Sequence, residues 1–220
     1  MSTFGLKNIP PGRSSDERDL RDLLSELNQI IPIFVTSSIY DRDIFDDSDE
    51  NHFTETLIKY LENTNPGSRF SYMSQASLPN KRSIDIGVYL KANSEHYIFC
   101  IEAKFLPPRD YVTGNYAAIK RYKKNEHGLS NRNPSKAKIL PESAIVGYSK
   151  SGTFESHFES INNLISKLSK AKSPDKFGLT WHLSEHLQRI KVDKADAFSS
   201  SHQRVDGSMI KLHHFWLLCH

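Results

Sequence analysis

The chain has 220 residues, of which 37% are hydrophobic and 25% charged, a balance that excludes intrinsic disorder and predicts a packed core. No apolar run approaches the roughly 18 residues that a membrane span needs, and the N-terminal region lacks the apolar segment of a secretory signal, so we expect no membrane contact. The net charge of +3 is uneven, since residues 1–65 hold 6 Lys/Arg against 13 Asp/Glu, and the basic remainder weakly favours a polyanionic partner.

Both cysteines, Cys100 and Cys219, lie in apolar stretches. Two cysteines in such positions do not suggest a disulfide framework, and thiols of this kind are typical of a reducing compartment. We therefore expect a cytoplasmic protein.

The first predicted element is a helix that begins near Ser14. Ser14 and Glu17 have capping-box spacing ahead of an apolar stripe at helical intervals. The members of this stripe are Leu20, Leu23, Leu24 and Leu27. Pro32 should end the helix, because proline cannot donate the hydrogen bond that continues it. An acidic connector at 41–50 then leads to a second helix.

The second helix is predicted from ENHFTETLIKYLENTNPG, which begins at Glu50. Phe53, Leu57 and Leu61 fall on one face at helical spacing, and Glu50 falls on the same face. Glu55 points nearly the opposite way. One carboxylate is therefore directed inward at the first turn, where the helix dipole tolerates negative charge.

The rest of the chain is mainly β-like, with a basic helix predicted before residue 142 and an amphipathic helix predicted at 153–170. The β-like segments lie at 69–78, 83–106, 142–149, 181–192, 196–205 and 209–218. Adjacent His213 and His214 in the last segment would point to opposite faces of a strand, so they suit structural roles better than one shared metal ion.

This order of elements predicts a single α/β domain over 1–220, with a mixed central sheet flanked by helices. Its parts would be an N-terminal helical extension at 1–45, a core at 50–150, and a helix with C-terminal strands at 151–220.

The segment SIDIGVYLKANSEHYIFCIEAKF, residues 83–105, reads as a β-hairpin that carries charged residues inside apolar runs. A hairpin folded about Asn93–Ser94 pairs residues whose numbers sum to 187, which places Asp85 opposite Glu102 with Cβ atoms roughly 5 Å apart. Lys104 lies on the same face, and Gly87 beside them leaves room for a ligand to approach the backbone.

Two carboxylates at this separation repel each other unless a proton or a cation lies between them. Hard oxygen ligands suit Mg²⁺ or Mn²⁺, and Glu50 offers a third acid. A neighbouring lysine can hold or deprotonate a water, or stabilise a developing phosphorane charge. An ordinary solvent-facing set of charges is the alternative, but Ile98 and Cys100 share this face. The residues therefore indicate metal-dependent phosphodiester hydrolysis.

Asp85 in IDIG, the hairpin, and Glu102-Ala103-Lys104 resemble the PD-(D/E)xK nuclease superfamily, which has the restriction-endonuclease-like fold. The resemblance covers about residues 50–148, and the usual Pro before the Asp is Ile84 here.

The resemblance implies a set of site residues. Asp85 and Glu102 would bind the divalent metal, and Lys104 would assist the attacking water. A helix before the sheet commonly adds a Glu in this superfamily, so Glu50 would be the counterpart and a further catalytic metal ligand.

Residues 119–138 hold seven Lys/Arg against one Glu and follow the predicted catalytic strand. In the superfamily that this chain resembles, the helix after this strand borders the nucleic-acid cleft, so we expect phosphate contacts, with a solvated basic helix as the alternative. The candidate nucleic-acid-binding residues are Lys120, Arg121, Lys123, Lys124 and Arg132.

The resemblance implies a Mg²⁺- or Mn²⁺-dependent nuclease, foremost a DNA endonuclease, in a bacterial restriction or antiphage defence system. Such an enzyme could act as a homodimer or as one subunit of a defence complex. Two alternatives stay open: a non-catalytic nucleic-acid-binding or assembly subunit of the same fold, and an RNA-directed nuclease.

Overall fold

The structure, a computed structural model, describes residues 14–34, 50–77, 83–106, 142–160, 163, 180–182, 190–192, 195–203 and 209–220. Two long helices precede the strands: α1 at Ser14–Phe34 and α2 at Glu50–Thr64. The strands are β1 (Phe70–Ser77), β2 (Ser83–Leu90), β3 (Asn93–Phe105), β4 (Glu142–Ser149), β5 (Thr180–His182), β6 (Ile190–Val192), β7 (Ala195–Gln203) and β8 (Met209–Leu218). Residues 154–160 form a further helical segment after β4.

The strands form one mixed sheet. Its neighbours run in the order β1, β2, β3, β4, β8, β7 and β5, and β6 pairs with β7. The central strands β3, β4 and β8 are parallel, whereas the other neighbouring pairs are antiparallel. Seven of the eight residues of β4 are buried, as expected for a parallel strand covered on both faces. The expectation of an α/β fold with a mixed central sheet is confirmed.

α1 and α2 cover one face of this sheet. Their fully buried residues include Leu23, Leu27, Ile31, Phe53, Leu57 and Leu61. These side chains share one core with Ile101 and Ala103 of β3 and Phe215 of β8. The apolar faces predicted for both helices are therefore the faces that pack against the sheet.

α1 continues through Pro32 to Phe34, so the predicted end of this helix at Pro32 is wrong. Ile30, Ile31 and Phe34 around the proline are all buried in the core. The proline lacks one backbone donor, but burial of its neighbours keeps the last turn helical. No described helix is long and apolar enough to cross a lipid bilayer.

Aromatic side chains cover the opposite face of the sheet. Phe198 stacks on the His214 ring with centroids 4.4 Å apart and meets the Trp216 ring edge-on at 4.8 Å. Phe158, from the helical segment 154–160, lies 6.0 Å from Phe198. The sheet is thus packed on both faces.

His213 lies on the face of β8 opposite to His214, as predicted. Its Nε2 is 2.5 Å from Glu142 Oε2 at the start of β4. Burial alone would raise the pKa of Glu142, but the hydrogen bond and charge of His213, with the charge of Lys211, lower it below its ordinary value. This pair ties the amino end of β4 to the middle of β8.

The β2–β3 hairpin turns earlier than predicted. Leu90 pairs with Asn93, so the turn lies before Asn93–Ser94. The predicted centre of the turn is therefore wrong. Two register shifts then place extra residues in β3, and beyond them Ile86 pairs with Ile101, which is the predicted register. The two register shifts therefore bring β2 and β3 into the predicted register next to the charged residues.

Candidate active site

The charged residues of the hairpin lie where β2 begins and β3 ends. Asp85 is near the start of β2, and Lys104 is next to last in β3. Glu50, the first residue of α2, reaches the same place. The structure therefore brings Glu50, Asp85 and Lys104 together, and Glu102 lies two residues before Lys104 on the same strand.

Lys104 is at the centre of this group. Its Nζ donates to Glu50 Oε1 at 2.5 Å and to the carbonyl oxygen of Ala103 at 2.6 Å, and it lies 3.5 Å from Asp85 Oδ2. The side chains of Lys104, Asp85 and Glu50 are 22%, 24% and 30% exposed. Water and a ligand can therefore reach the site, although most of its surface is covered.

The main-chain ladder between β2 and β3 stops at this site. Its last described pair is Ile86–Ile101, one residue short of the predicted pairing of Asp85 with Glu102. Asp85 Oδ2 instead accepts a hydrogen bond from Ala103 N at 2.8 Å. Side chains thus satisfy the main-chain groups of β3 where the neighbouring strand no longer does.

Glu50 fastens the first turn of α2 to the end of β3. Its Oε2 accepts from Phe105 N at 3.3 Å, in addition to the contact of Oε1 with Lys104. One turn along the helix, the Phe53 ring packs edge-on against the Phe105 ring at 5.7 Å. Glu50 is partly buried and reaches Lys104, as the helical pattern predicts. Glu55 is exposed but borders a small cavity beside Asp85, so it does not point away from the site as predicted.

Glu102 is fully buried. Its neighbours Ile101 and Ala103 belong to the core beneath α1 and α2, so alternation along β3 directs Glu102 to the other face of the sheet. The side chain of Lys104, at the end of the strand, reaches back to Glu50 of α2. A carboxylate in such a position is costly unless other groups compensate it, and functional sites are where such residues concentrate.

The negative charges of this site raise the pKa of Lys104. Burial of the ammonium would lower the pKa, but the charge of Asp85, the hydrogen bond and charge of Glu50, and the charge of Glu102 outweigh burial. The pKa therefore lies above its ordinary value of 10.5. Lys104 is an ammonium at neutral pH.

The carboxylates of this site are of the ligand type that a divalent cation such as Mg²⁺ prefers. The acids Glu50, Asp85 and Glu102 supply hard oxygen ligands, and in ionised form they exceed the single positive charge of Lys104. Among the described residues, no three His, Cys, Asp or Glu side chains already surround one point as a metal site would. Mg²⁺ commonly uses only one or two carboxylates and retains water, so the metal site stays a prediction.

Lys120, Arg121, Lys123, Lys124 and Arg132, the candidate nucleic-acid-binding residues, lie outside the described residues. Their phosphate contacts therefore stay a prediction. The described site consists of the four residues from α2, β2 and β3, and the basic segment follows β3 along the chain.

A small polar cavity adjoins Asp85 and was not expected from the hairpin pattern. It is lined by Asn51, Thr54, Glu55, Ser74 and Asp85. Its volume of about 10 Å³ is near the minimum that accommodates one water. Sequence reasoning missed it because the lining comes from three separate elements.

Lys150 also lies at this end of the sheet, where β3 and β4 terminate. Its Nζ is 5.4 Å from the centre of the Phe105 ring and 5.6 Å from that of Phe53. The sequence could have indicated this position, because Lys150 follows the predicted strand at 142–149 by one residue. Neighbouring parallel strands have their carboxyl ends on the same side of a sheet. Lys150 is therefore a second lysine beside the site.

The chain matches no protein-family model, no curated protein and no solved structure. The fold and site define it as an α/β protein with Glu50, Asp85, Glu102 and Lys104 grouped at one end of the β2–β3 hairpin. These comparisons do not support the predicted resemblance to the PD-(D/E)xK nucleases, which stays a prediction.

Proposed function

We propose that the chain is a divalent-metal-dependent nuclease with a restriction-endonuclease-like core, acting foremost as a DNA endonuclease. One observation carries the proposal: Glu50 from a helix and Asp85 and Lys104 from two arms of a hairpin converge on one point. A simple solvent-facing ion pair does not require three separate segments or a fully buried Glu102 beside them.

Lys104 would stabilise negative charge in this reaction. Its raised pKa keeps it protonated at neutral pH, so it donates hydrogen bonds and does not accept a proton. An ammonium in this position would hold the oxygen of the attacking water or stabilise the developing charge on the phosphorane.

Asp85 and Glu102, supported by Glu50, would hold Mg²⁺ or Mn²⁺. A bound ion of this kind supplies an activated water and neutralises charge on the phosphate. Asp85 keeps its carboxylate oriented through Ala103 N, and Glu50 keeps Lys104 oriented, so the residues are ordered before substrate binds.

The first test is cleavage of plasmid DNA with Mg²⁺ or Mn²⁺ by the wild type and by Asp85→Asn and Lys104→Met. Asp85→Asn retains an oxygen for Ala103 N but removes the charge. We expect each variant to lose activity by about 10²–10³-fold, the range for a group that stabilises charge in the transition state. The rate of nicking and linearisation on a gel measures the loss.

Two exposed residues provide matched controls for this test. Glu62→Gln changes an acid on α2, and Lys91→Met changes a lysine at the hairpin turn. Both should cleave like the wild type. A wild type that cuts duplex DNA, single-stranded DNA and RNA no better than Asp85→Asn would contradict the nuclease proposal. Binding without cleavage would favour the non-catalytic alternative, and cleavage of RNA alone would favour the RNA-directed one.

A further inference from the structure

The ammonium of Lys104 contacts carboxylate oxygens that a metal ion at this site would use. Its Nζ lies 2.5 Å from Glu50 Oε1 and 3.5 Å from Asp85 Oδ2. Mg²⁺ binds carboxylate oxygens at about 2.0–2.1 Å. An oxygen that accepts a hydrogen bond from the ammonium could ligate the ion only with two cations side by side, and like charges at such distances repel each other. The ammonium and a metal ion are therefore alternatives at these oxygens.

The backbone of β3 holds both acids independently of Lys104. Asp85 Oδ2 accepts from Ala103 N at 2.8 Å, and Glu50 Oε2 accepts from Phe105 N at 3.3 Å. The ammonium of Lys104, in contrast, contacts these two acids and the carbonyl oxygen of Ala103. Movement of the ammonium would therefore leave the two carboxylates in place.

Lys104 can move away from the acids without opening the sheet. It is next to last in β3, and its side chain is partly exposed. Its four-carbon stem is flexible, so the ammonium can turn toward solvent while the backbone of Lys104 stays paired with β4. A change in one side chain is therefore enough to exchange the ammonium for a metal ion.

We propose that Lys104 competes with the metal ion for Glu50 and Asp85, and that the ion binds when the ammonium moves off these oxygens. The inference rests on the proposed nuclease function and assigns Lys104 a second role, the control of metal binding at that site. Removal of Lys104 should then have opposite effects on two properties, since metal binding becomes tighter while cleavage is lost. A lysine that merely lies near the ion would oppose binding through its long-range charge, which salt screens.

The test measures Mn²⁺ binding by isothermal titration calorimetry, without nucleic acid. It compares the wild type with Lys104→Met and with Lys91→Met, which removes an exposed lysine at the hairpin turn. We expect Lys104→Met to bind Mn²⁺ about tenfold more tightly or better, because a charge in contact with the ligands no longer repels the ion. Lys91→Met should bind like the wild type. The gain of Lys104→Met should persist at about 0.5 M NaCl, because salt screens partly buried charges less than exposed ones.

Asp85→Asn shows whether the ion binds at this site. In the double variant Asp85→Asn with Lys104→Met, the tighter binding should disappear, because one of the contested ligands has lost its charge. Tighter binding that survives Asp85→Asn would place the ion elsewhere and overturn the inference. Equal Mn²⁺ affinities of the wild type and Lys104→Met, a difference that vanishes at high salt, or no binding by either protein would overturn it as well.

Thermal unfolding gives a second measure of the same competition. Mn²⁺ should raise the Tm of Lys104→Met more than that of the wild type, because a ligand that binds the folded state more tightly stabilises it more. If Lys104→Met does not fold, Lys104→Gln, which keeps hydrogen-bond donors but no charge, takes its place in every measurement.

Plasmid cleavage separates this inference from the proposed function. If the wild type cuts DNA but Lys104→Met binds Mn²⁺ no more tightly, competition is refuted and the nuclease stands. If the wild type cuts neither DNA nor RNA but Lys104→Met gains affinity for Mn²⁺ that depends on Asp85, competition is supported and catalysis is refuted.

Discussion

At the scale of single residues, Lys104 is an ammonium whose protonation depends on acids from three positions in the sequence. Asp85, Glu50 and Glu102 together overcome the cost of burying its charge. Removing Lys104 would leave these acids to repel one another. The residue that we assign to catalysis therefore also stabilises the folded state.

The contribution of Lys104 to stability should depend on pH in a defined direction. Because its pKa in the folded state is raised above 10.5, the contribution is fully present below pH 10.5 and is lost as pH rises through the folded-state pKa. At neutral pH, Lys104→Met should lower the free energy of unfolding by about 1–3 kcal/mol. Urea unfolding of both proteins at neutral and alkaline pH measures the difference.

The control for this prediction is Lys91→Met, which removes an exposed lysine and should cause a small, pH-independent change. A difference between wild type and Lys104→Met that stays constant through the alkaline range would contradict the assignment of the raised pKa to the native ion pairs.

At the scale of elements, β4 supports the site through a glycine. Gly147 pairs with Lys104 across the β3–β4 ladder. A Cβ at position 147 would lie 2.7 Å from Leu106 Cδ2 and 3.0 Å from Trp216 Cδ1. The absent side chain therefore lets Leu106 fold over β4 just after Lys104, where Leu106 N donates to Tyr148 O at 2.7 Å.

Gly147→Ala should therefore destabilise the fold, because the added methyl must displace Leu106 or the indole ring of Trp216. Overpacking of this kind costs about 1–3 kcal/mol. Urea unfolding measures the loss, and Gly67→Ala is the control, since the nearest atom to a Cβ at position 67 is 3.9 Å away. Equal stability of the two variants would show that the neighbours of Gly147 yield without cost.

At the scale of the whole molecule, α1 belongs to the same core as the sheet. Arg69, which precedes β1, contacts Asp19 and Asp22 of α1 at 2.6 Å each. Glu26 of α1 accepts a hydrogen bond from Tyr72 of β1 at 2.9 Å. Burial of the apolar face of α1 and these polar contacts should make helix and sheet unfold together.

Leu27→Ala tests this coupling. Leu27 is fully buried, and its truncation should cost about 2–5 kcal/mol while unfolding remains a single transition. Circular dichroism and tryptophan fluorescence during urea unfolding should give coincident curves. Ile33→Ala, at a position on α1 that is 51% exposed, should cost far less. Separate transitions for the two probes would show that α1 is an independent unit.

The amino-acid sequence by itself determined the elements that depend on local geometry. The helical spacing of Phe53, Leu57 and Leu61 identified the inner face of α2, and with it the inward direction of Glu50. Alternation placed His213 and His214 on opposite faces of β8. These patterns can be recognised in the sequence because burial repeats with the period of the helix or strand.

Tertiary structure alone decided the features that depend on where distant segments meet. The ladder that stops before Asp85, the helix that continues through Pro32, and the position of Lys150 against Phe53 and Phe105 each follow from packing between separate elements. A local pattern specifies which side of an element is buried, but the contacts within a site are set by the approach of elements far apart in the chain.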